Sequence, residues 1–194
     1  MTNTDMYDQL FLKARSYNGW QDKAVSEEQI KELYDLTRMG PTAFNGCPAR
    51  FIFLKSEKAK NKLAECVMES NISKVKTAPV VAIVAMDVRF FEKLPKLFPH
   101  DQNVSSYYVD NPTGAEKTAF RNGTLQGAYL MMAARAMGLD CGPMSGFDPE
   151  KVTAAFLSES GYHVNFLCGI GYGDPESVFP RGPRLDFDEA CELL

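Results

Sequence analysis

The chain has 194 residues, 45% of them apolar and 24% charged, enough for one globular domain with a substantial core. Its net charge of −4 gives no electrostatic reason to expect nucleic acid or an anionic membrane as partner. No apolar run is long enough to span a bilayer, and the N-terminus lacks the basic-then-apolar layout of a secretory signal.

Residues 4–14 carry Met6, Leu10, Phe11 and Ala14 at helical spacing and predict a first helix. Ser26 with Gln29 forms a capping box ahead of Ile30, Leu33 and Tyr34, so a second helix runs to about Gly40. Residues 40–48 hold two prolines and two glycines and read as irregular. Phe51–Leu54 is a short strand, and Ser56 caps a third helix carrying Leu63, Ala64 and Val67. Residues 79–86 are apolar throughout, as in a strand buried on both faces. A weak helix over 90–98 and a polar loop over 100–112 precede a long helix read from the apolar run Ala119 to Met137, which Gly138 stops in the left-handed conformation. A short strand is expected at 139–142, then a Gly-Pro-Met-Ser-Gly link. Asp148-Pro149 opens a helix through Phe156. His163–Ile170 is a second buried strand, and an extended tail carries Arg181 and Arg184. The sum is one mixed domain of helices and strands with a single core.

Several chemistries are excluded by pattern. Residues 169–173 lack the third glycine of G-x-G-x-x-G, and Asp174-Pro175 blocks an immediate helix. There is no Walker motif, and no G-x-S-x-G surrounds Ser145. Five scattered cysteines (Cys47, Cys66, Cys141, Cys168, Cys191) form no C-x-x-C pair, which points to reduced thiols in a cytoplasm and away from a metal site. What remains is a set of polar links at element ends: Arg15-Ser16 with Asn18, Thr42 with Asn45, Asn71, Asn122, the 143–146 backbone, and Arg181 with Arg184. Guanidinium groups near both chain ends suit a phosphate, and amides suit the edge of a planar heterocycle. Each feature alone is equally at home as a solvated cation, a turn or a cap.

Together these segments resemble the FMN-dependent nitroreductase family. Gly40-Pro41-Thr42-x-x-Asn45-x-x-Pro48 is similar to its S/T-x-x-N-x-x-P loop. Gly138-Leu139-Asp140 with Pro143-x-x-Gly146-Phe147-Asp148 is similar to its G-L-D…P-x-x-G-F-D segment, and Pro183-Arg184-Leu185 to its phosphate-binding arm. Asn18-Gly19-Trp20, Leu97-Phe98-Pro99-His100 and Thr118-Ala119-Phe120-Arg121-Asn122 resemble the branch known as malonic semialdehyde reductase, or 3-hydroxypropionate dehydrogenase.

The resemblance implies an α+β fold in which a central mixed, mainly antiparallel sheet is flanked by helices. It also implies a homodimer that exchanges segments and holds FMN at its interface, with NADH or NADPH as co-substrate. Arg15, Arg181 and Arg184 would hold the FMN phosphate, with Ser16 and Asn18 near the ribityl chain. Thr42 and Asn45 would come from the neighbouring subunit to border the ring. Asn71 would meet the pyrimidine edge and Asn122 the ribityl hydroxyls. Pro143 and Met144 would lie against one ring face, with the Ser145 and Gly146 amides toward flavin N5 and O4. Many relatives carry Glu where Ser145 stands. For an aldehyde acid, Arg121 is the candidate cation for the substrate carboxylate. The expected activity is ping-pong hydride transfer, with malonic semialdehyde as acceptor or, alternatively, a broad range of nitro compounds and quinones. A flavin carrier without turnover and a purely structural subunit are the readings from other classes.

Overall fold

The computed structural model describes residues 3–194. The apolar spacing near the N-terminus yields α1 (Asn3–Tyr7) and a π-helical turn (Asp8–Leu12), where one continuous helix was expected. α2 (Glu27–Thr37) opens on the predicted capping box: Ser26 Oγ accepts from the Gln29 N–H, and the Gln29 amide oxygen accepts from the Ser26 N–H. β1 (Ala49–Leu54) follows the irregular loop, and Ser56 caps α3 (Glu57–Ala64) as expected, but the helix ends before Val67, which instead bridges Phe147. α4 (Glu69–Thr77) was not foreseen: its N-cap is Met68, which offers no side-chain acceptor. β2 (Val80–Met86) comes next. The weak helix over 90–98 resolves into a 3-10 turn (Phe90–Lys93) and α5 (Leu94–Leu97), and the polar loop contains α6 (Ser106–Val109).

α7 (Pro112–Ala136) is the long helix. It starts earlier than its apolar run because Asn111 caps it and Pro112 supplies a preset φ at its first position. It ends in a Schellman motif, with Gly138 N–H bonded to Arg135 O, Leu139 N–H to Ala134 O, and Gly138 at φ +75°. β3 (Asp140–Met144), α8 (Pro149–Phe156), β4 (His163–Gly171) and α9 (Phe187–Ala190) complete the chain.

The four strands order as β1-β2-β4-β3, and every pairing between them is antiparallel. A parallel bridge between Ser16 and Cys141 adds the mixed element. All seven residues of β2 are buried, so both faces of the sheet are covered. Val80, Ala82 and Val84 pack with Leu33 of α2 and Leu130 and Ala134 of α7. Val81 and Ile83 point the other way, toward Leu63 of α3, Val75 of α4 and Val152 of α8. Burying each such Leu, Ile or Val contributes roughly 1.5–3 kcal/mol, so helices on both faces are what this all-apolar strand requires. Among the described residues no helix is long and apolar enough to cross a membrane, and the five cysteines are unpaired.

Candidate functional site

The N-terminal link and the C-terminal tail meet. Arg15, Ser16, Arg181 and Arg184 line one cavity of about 430 Å³, together with Phe11 and Phe179. Arg181 Nη2 donates to the carbonyls of Leu12 and Ala14 at 2.7 and 2.8 Å, and Arg15 donates to the Phe179 carbonyl. Arg184 Nη1 donates to the Gly182 and Pro183 carbonyls of its own turn. Among the described residues no acidic one lines this cavity, and its charged lining is all arginine. The sequence reading missed a fifth polar member, Arg135, in the last turn of α7. Its Nη1 donates to Leu10 O at 2.8 Å, while its Nε is buried with no hydrogen-bond partner.

The Ser16–Cys141 bridge, with Tyr17 N–H bonded to Cys141 O at 3.0 Å, sets this cavity beside β3. From Cys141 to Ser145 the chain covers roughly 13 Å if extended. The link at its end is held by α4: Gly146 O accepts from Met68 N–H at 2.9 Å and from Asn71 Nδ2 at 3.0 Å. Asn71 is buried, whereas Pro143 and Ser145 are exposed. Among the described residues, neither the Ser145 nor the Gly146 N–H donates to a protein acceptor in the loop hydrogen-bond network. A Cβ on residue 146 would lie 2.7 Å from Asn71 Nδ2, so glycine is needed for this approach. The link thus presents two unspent donors beside an exposed proline ring, an arrangement suited to the edge and face of a flat ligand.

Two predicted residues are engaged within the chain. Strand alternation sends the Met144 side chain into the core with Val81 and Leu167, only 4% exposed, while Pro143 faces outward. Asn122 does not reach the arginine cavity. Its Oδ1 accepts from Ala43 N–H at 2.8 Å and its Nδ2 donates to Thr118 O, so it anchors the loop around Thr42 and Asn45.

That loop is backbone-strained, with Phe44, Asn45 and Cys47 all at positive φ. Thr42 Oγ1 accepts from Cys47 N–H, Asn45 Nδ2 donates to Leu97 O, and the Phe44 ring meets Phe98 edge-on at 5.5 Å. None of these contacts reaches Arg15, Asn71 or the 143–146 link of the same chain. Arg121, one residue from Asn122 on α7, is exposed and lines a different cavity of about 410 Å³ with Met86, Thr113 and Phe120. Asn18 Nδ2 donates to Ser177 O at 2.9 Å.

The Asp140 carboxyl, predicted as part of the G-L-D signature, accepts from Gly173 N–H at 2.9 Å and ties β3 to the turn after β4. Burial raises it above the ordinary carboxylate range, against the lowering pull of that N–H and of Arg135. Burial and the nearby Asp140 charge likewise raise the Tyr17 hydroxyl.

The comparisons with known proteins agree with this geometry. A Ralstonia pickettii protein with the provisional name NADH dehydrogenase/NAD(P)H nitroreductase HadB is 54% identical over 195 residues, covering all of both chains. A similarly named protein of Polynucleobacter asymbioticus is 53% identical over 192 residues, 99% of this chain and 97% of the relative. Among solved structures, a nitroreductase-like protein of Exiguobacterium sibiricum in complex with FMN superposes at a TM-score of 0.87. It has 22% identity and covers 100% of this chain and 99% of its own. A Staphylococcus epidermidis protein described as an NAD(P)H:FMN oxidoreductase superposes at 0.86 with 19% identity, over 100% and 98% of the two chains. Residues 12–172 match the family model described as Nitroreductase family, and the chain belongs to that family.

Proposed function

We propose that the protein is an FMN-dependent NAD(P)H oxidoreductase. One observation carries the reading: an all-cationic cavity is joined, through the Ser16–Cys141 bridge, to a link whose Ser145 and Gly146 N–H groups are unspent. The residues fit the cofactor. The cavity offers guanidinium groups and no carboxylate to a phosphate, and the buried Arg135 Nε is an orphan that an anion nearby compensates. The cradle at Gly146 leaves no room for a side chain.

Arg15, Arg181 and Arg184 hold the phosphate, with the exposed Ser16 hydroxyl and the free Asn18 oxygen beside the ribityl chain. Asn71, steadied by Gly146 O, presents its remaining oxygen to the pyrimidine edge. Pro143 supports one ring face, and the Ser145 and Gly146 N–H groups donate toward N5 and O4, where preorganised dipoles favour added electron density. Bound there, FMN supplies hydride transfer at N5, taking the hydride from NADH or NADPH and passing it to a second substrate.

The site is completed by a second copy. Residues 179–194 are exposed throughout and include Phe179, Leu185, Phe187, Leu193 and Leu194, apolar surface that a lone domain does not leave in water. The strained loop bearing Thr42 and Asn45 has no contact with its own chain's link, which supports its pairing with the partner's flavin. Asn122 fastens that loop to the same turn of α7 as Arg121, so the two travel together. Arg121, in a cavity it shares with Lys117, Glu116 and Phe120, then receives the carboxylate of malonic semialdehyde, which is reduced to 3-hydroxypropionate. The second reading is a broad NAD(P)H nitro or quinone reductase, of which the nitroreductase part is supported by the names of the relatives that are 53–54% identical.

An absorption spectrum of the purified protein, followed by anaerobic titration with each nicotinamide, tests the flavin reading. A yellow chromophore bleached by NADH or NADPH is expected. A colourless protein that ignores added FMN overturns it. The ratio of kcat/KM for malonic semialdehyde and a nitroaromatic separates the two substrate readings, and sedimentation of the flavin-loaded protein tests the dimer.

A further inference from the structure

Three of the four guanidinium groups at the cationic cavity are accounted for by the motifs that signal a phosphate; the fourth, Arg135, is not. It stands in the last turn of α7, and its backbone carbonyl accepts from Gln9 Nε2 at 2.6 Å. Its Nη1 donates to Leu10 O, leaving Nε buried and unpaired. The carboxylate that feels its charge, Asp140, has an oxygen committed to Gly173 N–H and is itself held above the usual range by burial. A half-buried guanidinium that donates to one main-chain carbonyl, forms no ion pair among the described residues and lines a cavity with no acidic side chain among them is a charge open to an anion.

We propose that Arg135 is a fourth phosphate-recognition residue, a fixed cation beneath the cavity that makes the site select flavin mononucleotide over the same ring system without a phosphate. The proposal rests on the flavin reading above. It assigns Arg135 two coupled tasks. Through Leu10 and Gln9 it pins the N-terminal segment against the end of α7, and through its charge it supplies attraction that a doubly charged phosphate uses and riboflavin does not. Leu12 and Ala14 of the same segment are gripped by Arg181, so the anion sits where the two chain ends are stitched to the helix.

The test is the dissociation constant of FMN and of riboflavin, each read by quenching of flavin fluorescence, for the wild-type protein, Arg135→Gln and Arg135→Lys. Loss of one charge-assisted contact raises the FMN constant of Arg135→Gln roughly 10- to 100-fold, with the riboflavin constant moved less than about threefold. The salt dependence of FMN binding becomes shallower in the same variant. Arg135→Lys, which keeps the charge and loses the planar fork, falls between the two. Equal weakening of both ligands makes Arg135 a tether only and overturns the proposal, as does an unchanged FMN constant. If Arg135→Gln does not fold, Arg135→Lys carries the decision: a rise for FMN alone supports the proposal, and an equal change or none overturns it. Wild-type protein that binds neither flavin refutes the flavin reading itself, a result separable from failure at residue 135.

Discussion

The side-chain amide of Asn71, in the first turn of α4, donates to the main-chain carbonyl of Gly146 at 3.0 Å, so a helix absent from the sequence pattern fixes the link that the pattern made conspicuous. Gly146→Ala places a methyl 2.7 Å from Asn71 Nδ2 and 3.2 Å from Met68 Sδ, at a cost of about 1–3 kcal/mol. Asn71→Ala alone costs about 1 kcal/mol, because Gly146 O keeps the Met68 N–H. In the double variant the added methyl gains room, so urea denaturation gives a loss smaller than the sum of the single losses. Strict additivity contradicts the contact.

Asn122→Ala strips the acceptor from Ala43 N–H and loosens the strained loop. Hydrogen exchange at residues 43–47 accelerates, and stability drops by roughly 1–3 kcal/mol. Unaltered exchange there shows that the loop holds itself.

Gly138→Ala isolates a backbone effect. Nothing lies within 4 Å of a Cβ built at this position, yet its φ is +75°. The expected cost is about 1–2 kcal/mol, all of it conformational. A thermal midpoint equal to wild type would falsify the left-handed cap as the helix stop.

Asp140→Asn keeps an acceptor for Gly173 N–H and removes a titration. Burial raises the folded carboxyl above its unfolded value, so its stabilising contribution is complete below the unfolded pKa of about 3.9 and is lost as pH rises through the folded one. The variant therefore gains Tm over wild type at pH 7 and little or nothing at pH 3.5, as followed by circular dichroism. A variant less stable than wild type at pH 7 contradicts this sign.

Arg121→Ala lowers the ratio of kcat/KM for malonic semialdehyde to that for a nitroaromatic by about tenfold, the worth of one charge-assisted contact. A ratio equal to wild type removes the carboxylate role from Arg121.

Local chemistry explains what was legible beforehand. Asp148-Pro149 marks the start of α8 because cap and first turn are encoded in adjacent residues, and the all-apolar β2 admits only burial on both faces. α4 was hidden because Met68 gives no capping signal and Glu69–Thr77 carries few apolar positions. Positive φ at Phe44, Asn45 and Cys47 was hidden because the glycine among them, Gly46, adopts an ordinary helical φ of −71°. The inward turn of Met144 follows from a strand two residues longer at that end than expected. Arg135 carries no motif, since a cation in the last turn of a helix complements the dipole without any ligand, and its partner Leu10 lies 125 positions away. Such a pairing exists only after folding.

The grip of Arg135 and Arg181 on Leu10, Leu12 and Ala14 is entirely through carbonyl oxygens, which every amino acid possesses. Substitution at those three positions can therefore accumulate over evolutionary time without dismantling the junction, whereas the guanidinium donors have no such latitude. Homologues that look unrelated across the first fifteen residues are expected to converge on the same main-chain path.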